Sequence, residues 1–211
     1  MTSRSPAVDA LLARVREAVR AQPVTVAAVP AHTVVRRVAR DQADLVSLFA
    51  AKAQSVGMRV TRVAEGDLDA VLAKLLETRG KTVVAARDTS LAARANAAAG
   101  ARLAPNDNDD ILFDCEVGVT DVDCAIAESG SLVISTNGRI RNAWITPPIH
   151  IAIVRASQVV ADLVDLFDSR ADALDAASTT VITGPSKTAD IEGVLVTGVH
   201  GPAAVEIVLV D

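Results

Sequence analysis

Aromatic side chains are scarce in this sequence: they make up 2% of 211 residues, with one tryptophan, three phenylalanines and no tyrosine. Proteins that bind single-stranded nucleic acid stack the bases on aromatic rings, and duplex binders carry surplus basic residues that neutralise phosphates. This chain instead has a formal net charge of −5. The composition therefore argues against a nucleic-acid partner.

Cysteine, histidine and long apolar runs are also scarce. The two cysteines, Cys115 and Cys124, form no disulfide framework, and three scattered histidines have no metal-ligand spacing. No apolar run approaches the roughly 18 residues of a membrane span. The first twenty residues show a helical charge pattern and no apolar signal-peptide core. We therefore expect a cytoplasmic protein with no metal site and no membrane insertion.

Alanine and valine dominate the 50% of residues that are hydrophobic, which favours tight packing of helices on a sheet. Strand-like residues 58–63 are followed by a helical pattern at 67–80, a buried strand at 82–86 and a helix at 90–99. Alternation of strands and helices is typical of a parallel sheet that is covered on both faces. The predicted fold is α/β, with a Rossmann-like, mostly parallel sheet and helices on both faces.

The N-terminal segment stands apart from this alternation. Pro6 suits the first turn of a helix, and residues 22–36 contain two prolines and no clear periodicity. We predict an N-terminal helix within residues 1–22, which is a candidate docking element, and a main α/β domain over residues 40–211. The apolar side of the helix is formed by Val8, Leu11, Leu12, Val15 and Val19.

Turn residues interrupt the second half of the chain more often. The pattern predicts an acidic loop at 106–110, a strand at 111–117, a short helix at 122–127 and a longer helix at 157–169. Further strands are predicted at 131–135, 150–155, 179–183 and 205–210.

Three stretches together carry a family resemblance. They read GVTDVDCAIAESGSLV at 118–133, PPIHIAIV at 147–154 and TGPSKTADIE at 183–192, the last continuing into GVHGP at 198–202. In order and spacing this set resembles the lactate-utilisation (LUD domain) family, and within it the LutC-like proteins, over roughly residues 40–211. Lys187 stands where arginine is more frequent.

The resemblance implies a fold similar to the sugar-phosphate isomerases and CoA transferases. It also implies a place in the oxidation of L-lactate to pyruvate by a multi-protein system whose other members carry iron–sulfur clusters. Cys115 and Cys124 do not form the clustered Cys-x-x-Cys runs that such centres need. The chain would then be the cluster-free component, with no cofactor of its own and with iron–sulfur proteins as partners. The alternatives are a stand-alone enzyme acting on a phosphosugar, CoA thioester or folate-like substrate, and a non-catalytic interaction subunit.

The loop that follows the strand at 179–183 suits a small anionic ligand. A glycine allows close backbone approach, hydroxyls and a lysine offer donors, and backbone N–H groups at a strand-to-helix turn bind anions. The alternative is an ordinary turn in which a hydroxyl side chain caps a helix. The candidate binding residues here are Thr183, Gly184, Ser186, Lys187, Thr188 and Asp190.

Two residues are candidates for catalysis. His200 lies in a turn beside Gly201, where the ring would be accessible for donation to a substrate oxygen or for acid–base work. Glu128 precedes Ser129-Gly130, and by analogy with the CoA transferases it could attack a thioester carbonyl. The alternatives are a turn histidine bonded to backbone and a glutamate at a helix end.

Arg139 and Arg141 are predicted to form a basic hairpin tip. Arg141 could clamp a substrate carboxylate, and the alternative is a solvated turn. Trp144 and Cys124 are predicted to pack in the core, and His150, at the start of an apolar strand, is interpreted as structural.

Overall fold

The computed structural model of the chain describes residues 6–21, 37–38, 44–105, 109–189 and 193–211. Contacts group the chain into two compact units, residues 1–36 and 37–211. The first unit contains the predicted N-terminal helix, α1 (Pro6–Ala21). Its role as a docking element stays a prediction.

A five-stranded parallel sheet forms the centre of the second unit. Its four neighbouring pairs are all parallel, which confirms the predicted α/β class. In spatial order, with strands numbered along the chain, the sheet contains β1 (Arg59–Val63), β11 (Ala204–Val210), β6 (Ile149–Arg155), β3 (Val117–Asp121) and β2 (Thr82–Val84).

Seven helices of the described residues belong to this unit, and several begin at an aspartate cap. Asp44 accepts the backbone N–H of Ser47, and Asp88 accepts those of Ser90 and Leu91, which satisfies donors that have no partner within the first turn. None of the described helices is long and apolar enough to cross a membrane. The helices are α2 (Leu45–Ser55), α3 (Leu68–Leu76), α4 (Thr89–Ala99), α5 (Asp109–Phe113), α6 (Asn142–Ile145), α7 (Leu163–Ser169) and α8 (Ala171–Leu174).

A second, four-stranded sheet packs beside the first. Its strands β4 and β5 form an antiparallel hairpin, β8 pairs antiparallel with β5, and β7 pairs parallel with β4. A separate two-stranded hairpin joins β9 and β10. The ranges are β4 (Cys124–Ile126), β5 (Ser131–Ser135), β7 (Val159–Val160), β8 (Thr179–Ile182), β9 (Lys187–Thr188) and β10 (Val196–Thr197).

The central sheet is buried on both faces. On one face, Ile151 and Ile153 of β6 pack with the leucines and alanines of α3 and α4. On the other face, Ala152 and Val154 pack with α2, the second sheet and Trp144. Each fully buried leucine or isoleucine contributes about 1.5–3 kcal/mol. The burial of Trp144 and of Cys124 confirms the prediction that both pack in the core.

Three predicted elements of the second half are wrong. The strand expected at 111–117 is α5 followed by β3, the helix expected at 122–127 is β4, and only Leu163–Ser169 of the helix expected at 157–169 is α-helical. All residues of 122–127 are buried. A short run that is buried at every position has no period that separates a buried strand from a buried helix. Of the acidic loop predicted at 106–110, residues 106–108 lie outside the described residues, and Asp109 and Asp110 are helical because they begin α5.

The backbone of α6 lies close to the central sheet at Gly118 of β3. A Cβ atom added to Gly118 would lie 1.8 Å from the carbonyl oxygen of Ala143, so the backbone of α6 would have to move. We expect Gly118→Ala to lower the free energy of unfolding by about 1–3 kcal/mol, as overpacked core substitutions do. Urea denaturation measures this loss.

Gly66→Ala is the matched control, because a Cβ at Gly66 would meet nothing within 4 Å. Equal midpoints for Gly118→Ala and the wild-type protein would contradict the close approach of α6.

Candidate functional site

A cavity of about 400 Å³ opens at the amino edge of the central sheet. It lies where the turn before β11 faces α6 and the start of β6. Two of the sequence-predicted residues, His200 and Gly201, line it. The other lining residues are Phe113, Asn142, Ile145, Thr146, Pro148, Gly198 and Val199.

The polar groups of this cavity are suited to an anion. Asn142, Thr146 and His200 bring an amide, a hydroxyl and an imidazole to its wall, and none of its described lining residues is acidic. The rest of the wall is apolar, and the ring of Phe113 is 74% exposed. A concave wall that combines apolar side chains with a few hydrogen-bonding groups is typical of a small-molecule site.

The turn that carries His200 is held by backbone contacts to Ser186. The Ser186 N–H donates to the Pro202 carbonyl, and the Gly198 N–H donates to the Ser186 carbonyl. Gly198 has a φ of +85° and would bring an added Cβ 2.7 Å from Cβ of Ala203, so only glycine fits. Ser186 therefore positions the His200 turn from behind the cavity wall.

Within the described residues, the predicted anion loop is followed by a strand and not by a helix. Lys187 and Thr188 form β9, which pairs with β10, and the Ser186 N–H is already used by Pro202. Residues 187 and 188 therefore pair as a strand where the sequence predicted the start of a helical turn, while residues 190–192 lie outside the described residues. The partner strand is β10, which the sequence pattern did not indicate. Asp190 lies outside the described residues.

Two other residues of this loop have packing contacts. Gly184 has a φ of +106°, and an added Cβ would lie 2.6 Å from the Val56 carbonyl oxygen at the end of α2. The Thr183 hydroxyl is 2.7 Å from that of Ser131. The loop follows the carboxyl end of β8, but β8 belongs to the second sheet. The loop lies at the amino edge of the central sheet, because Ser186 bonds to Pro202 just before β11. Anion binding by this loop stays a prediction.

Comparison with known proteins identifies the family. Residues 46–210 match the LUD domain. This chain belongs to the LUD domain family. The Lactate utilization protein C of Exiguobacterium sp. is 36% identical over 112 residues, which cover 50% of this chain and 49% of that protein. The Lactate utilization protein C of Bacillus subtilis (strain 168) is 38% identical over 101 residues, covering 45% and 42%. The chain thus spans about half the length of the curated relatives that it matches.

A solved structure supports the fold of this LUD domain. The crystal structure of a DUF162 family protein from Deinococcus radiodurans superposes with a TM-score of 0.61 at 18% identity, over 82% of this chain and 99% of that one. At this identity the likeness shows the fold alone.

Glu128 lies apart from the cavity in this LUD domain. It is exposed in the turn of the β4–β5 hairpin, so its predicted place at a helix end is wrong. Gly130, with a φ of +71°, lets this turn lie against the backbone of Ala53. The neighbouring Ser129 hydroxyl is 2.7 Å from that of Ser131. The proposed nucleophilic role of Glu128 stays a prediction.

The two arginines of the predicted basic tip have different environments. Arg141 is exposed and precedes Asn142 of the cavity wall. Arg139 is buried, with Nε 2.6 Å from Asp121 and Nη1 3.1 Å from Asp123. The prediction that Arg139 lies in a solvated turn is therefore wrong. The sequence did contain a signal for this ion cluster: Asp121 and Asp123 lie in a run of otherwise apolar or neutral residues at 117–127. Because charges are buried only with partners, such a run indicates a buried cation nearby.

Asp121 is held in its charged form. Burial raises the pKa of Asp121, but the hydrogen bonds from Arg139 and from the backbone N–H groups of Asp88 and Arg87 outweigh burial, and the pKa lies below its ordinary value. A carboxylate held this way is a poor proton acceptor near neutral pH. It acts here as an anchor for Arg139.

His150 is structural, as predicted. It is fully buried, its Nε2 is 2.9 Å from the Thr120 hydroxyl oxygen, and burial lowers its pKa to about 3. At neutral pH the ring is therefore uncharged.

Proposed function

We propose that this LUD domain chain is the cluster-free component of a cytoplasmic system that oxidises L-lactate to pyruvate, and that it binds a small anionic ligand in the cavity beside His200. The observation that carries the proposal is the cavity itself. Its wall contains three hydrogen-bonding side chains and, among the residues the structure describes, no carboxylate.

The names of the relatives support the setting. Two of them are called Lactate utilization protein C, and the family match covers most of this chain. The chain has only two cysteines, both buried and unpaired. Two cysteines are too few to ligate an iron–sulfur cluster, which takes four. In the proposed system, iron–sulfur partner proteins therefore carry the electrons. Buried, unpaired thiols also suit a reducing compartment.

Binding of a small anion is tested on the purified chain by thermal unfolding. L-lactate, pyruvate, inorganic phosphate and a sugar phosphate are titrated, because a ligand at 100 times its dissociation constant adds about 2.7 kcal/mol of stability. We expect one of these anions to raise the melting temperature. The shift should be lost in His200→Ala, which removes a donor from the cavity wall.

Two further variants locate the site. Thr197→Ala changes an exposed residue of the same segment and should retain the shift. Lys187→Ala tests the loop, because Lys187 does not line the cavity. Loss of the shift in Lys187→Ala alone would move the site from the cavity to the loop. An absence of any shift would refute anion binding by the isolated chain.

The place in lactate oxidation is tested by reconstitution. Iron–sulfur partner proteins are assayed for lactate oxidation with and without this chain, and we expect the rate to depend on it. Equal rates would refute the component role. Turnover of a CoA thioester without partners, lost in a folded Glu128→Gln variant, would establish the stand-alone enzyme instead.

A further inference from the structure

The strand β1 forms an open edge of the central sheet. Among the described strands it pairs only with β11. The opposite edge, at β2, is partly covered, because Thr82 forms a bridge with Leu103 and its carbonyl accepts the N–H of Ala104. An exposed strand edge is a surface to which another chain can add a strand. The edge of β1 is therefore an interaction surface to examine for a partner.

The main-chain groups of this edge have a definite direction. The Asp211 N–H donates to the Val63 carbonyl, so the main-chain groups of Val63 point toward β11. These groups point alternately to the two sides of a strand. Those of Thr61 therefore also point toward β11, whereas those of Val60 and Arg62 point away from the sheet. In the part of the chain that the structure describes, no hydrogen bond uses the main-chain groups of Val60 or Arg62.

We propose that β1 pairs with β1 of a second copy of this chain, antiparallel about a two-fold axis at Thr61, so that the two central sheets become one. A two-fold axis is the commonest symmetry of soluble homodimers. In this register Val60 faces Arg62 of the second copy, and the outward N–H and C=O groups of both residues are all paired. The proposal depends neither on anion binding nor on the role in lactate oxidation.

The neighbouring registers fit less well. Displacement by two residues in one direction places Arg62 opposite Arg62 of the second copy, and like charges directly opposite are destabilising. Displacement in the other direction places Arg62 opposite Met58, whose N–H already donates to the Ala53 carbonyl. A shift by one residue opposes Val60 to Thr61, whose main-chain groups are used by β11. The register about Thr61 avoids all three faults.

The charges on β1 are balanced within the chain. Charged side chains on an edge strand usually deter pairing with another chain. Here Nη1 of Arg59 lies 2.6 Å from Glu206, and Nε of Arg62 lies 2.8 Å from Asp211. Both arginines of the strand thus have a carboxylate partner on or just after β11, so they oppose a second β1 less than unpaired charges would.

The face of the sheet that carries α3 also suits a second copy. A groove of about 340 Å³ lies beside β1 and is lined by Thr61, Val71, Lys74, Leu75, Thr78 and Arg79. Facing residues of antiparallel strands share a face, so the axis brings the second groove to the same side, with its α3 antiparallel. Asp67 precedes the first turn of α3 and Lys74 lies in its last turn. The acidic start of one α3 therefore lies toward the basic end of the other.

The oligomeric state of the full chain tests the pairing. Sedimentation velocity is measured over a range of protein concentrations, and we expect a monomer–dimer equilibrium. Val60→Pro removes an outward N–H without removing a bond to β11, and should raise the dimer dissociation constant about tenfold or more. Val60→Ala is the matched control, because it loses the valine side chain but keeps the N–H. It should stay within about threefold of the wild-type constant.

Thr61→Cys tests the register. Residues that face each other at the axis in this pairing have Cα atoms about 4.5 Å apart, which a disulfide can span. Both native cysteines are buried, so they do not compete. We expect a covalent dimer after treatment with oxidised glutathione. Ala64→Cys, at an exposed position just beyond β1, is the control, because its two thiols would lie roughly 20 Å apart and should remain uncoupled.

Three outcomes would overturn the pairing. These are a chain that sediments as a monomer at every concentration, a dimer that Val60→Pro and Val60→Ala form equally well, and equal cross-linking of the two thiol variants. If Val60→Pro does not fold, as judged by circular dichroism, the thiol variants decide the question. His200→Ala is expected to remain dimeric even where it no longer binds an anion, which separates this result from the test of the proposed function.

Discussion

Replacement of Arg139 by methionine is expected to lower the free energy of unfolding by about 3–5 kcal/mol at neutral pH, the range found when one partner of a buried ion pair is removed. Asp121 and Asp123 are each 4% exposed, so both carboxylates would lose a buried counter-ion while methionine filled much of the arginine volume. Such a loss is a large share of the 5–15 kcal/mol that is usual for a domain. Chemical denaturation at pH 7 measures it.

Arg141→Met is the matched control, because it removes an exposed arginine two residues away and should change stability by about 0.5 kcal/mol or less. If charge rather than packing causes the loss, adding Asp121→Asn and Asp123→Asn to Arg139→Met should recover part of it. A stability of Arg139→Met within 1 kcal/mol or so of wild type would contradict the ion cluster.

The same substitution has a pH signature. The pKa of Asp121 is lowered in the folded protein, so this group contributes stability above its unfolded pKa of about 3.9 and loses that contribution as the pH falls through the folded value. Without Arg139, burial, which raises the pKa of Asp121, is opposed only by the backbone N–H groups of Asp88 and Arg87, so we expect this pKa to rise and protonation to remove the unpaired buried charge. The stability gap between wild type and Arg139→Met should therefore be widest near neutral pH and narrow below about pH 4.

The fold could be predicted from the sequence where the hydrophobic period was unambiguous. The helix at α3 and the alternating strand β1 follow directly from side-chain spacing. The run at 122–127 could not be assigned, because every residue in it is buried. Its strand conformation follows from pairing with β5 and β7. Such pairing joins segments up to about 35 residues apart and has no local signature.

The candidate site was predictable only in part. The glycines around His200 indicated a tight turn with an accessible ring, and the structure has both. That Asn142 and Thr146 face this turn depends on how α6 packs at Gly118, which no motif indicates. For Arg139, the local sequence predicted the wrong environment. An arginine beside Asn137-Gly138 is typical of a solvated turn, and only the distant Asp121 and Asp123 turn it inward.

Acidification from pH 6.5 to pH 4.5 is expected to destabilise the wild-type protein through His150. Burial lowers the pKa of His150 from 6.5 to about 3, so over this interval the unfolded chain binds a proton that the folded chain does not. The unfolded state is therefore favoured as the pH falls, by up to about 1.4 kcal/mol for each pH unit. Urea denaturation at half-unit steps of pH measures this slope.

His150→Gln should flatten the slope, because an amide can still bond to Thr120 but does not titrate. Thr120→Val is the control: it removes the 2.9 Å contact to Nε2 and should lower stability at every pH while leaving the slope in place. The lower bound of pH 4.5 matters, since carboxylates such as Asp121 begin to contribute below about pH 4. An NMR titration of the His150 ring with a midpoint near 6.5 would contradict the buried, neutral histidine. A slope that persists in His150→Gln would assign the acid sensitivity to another group.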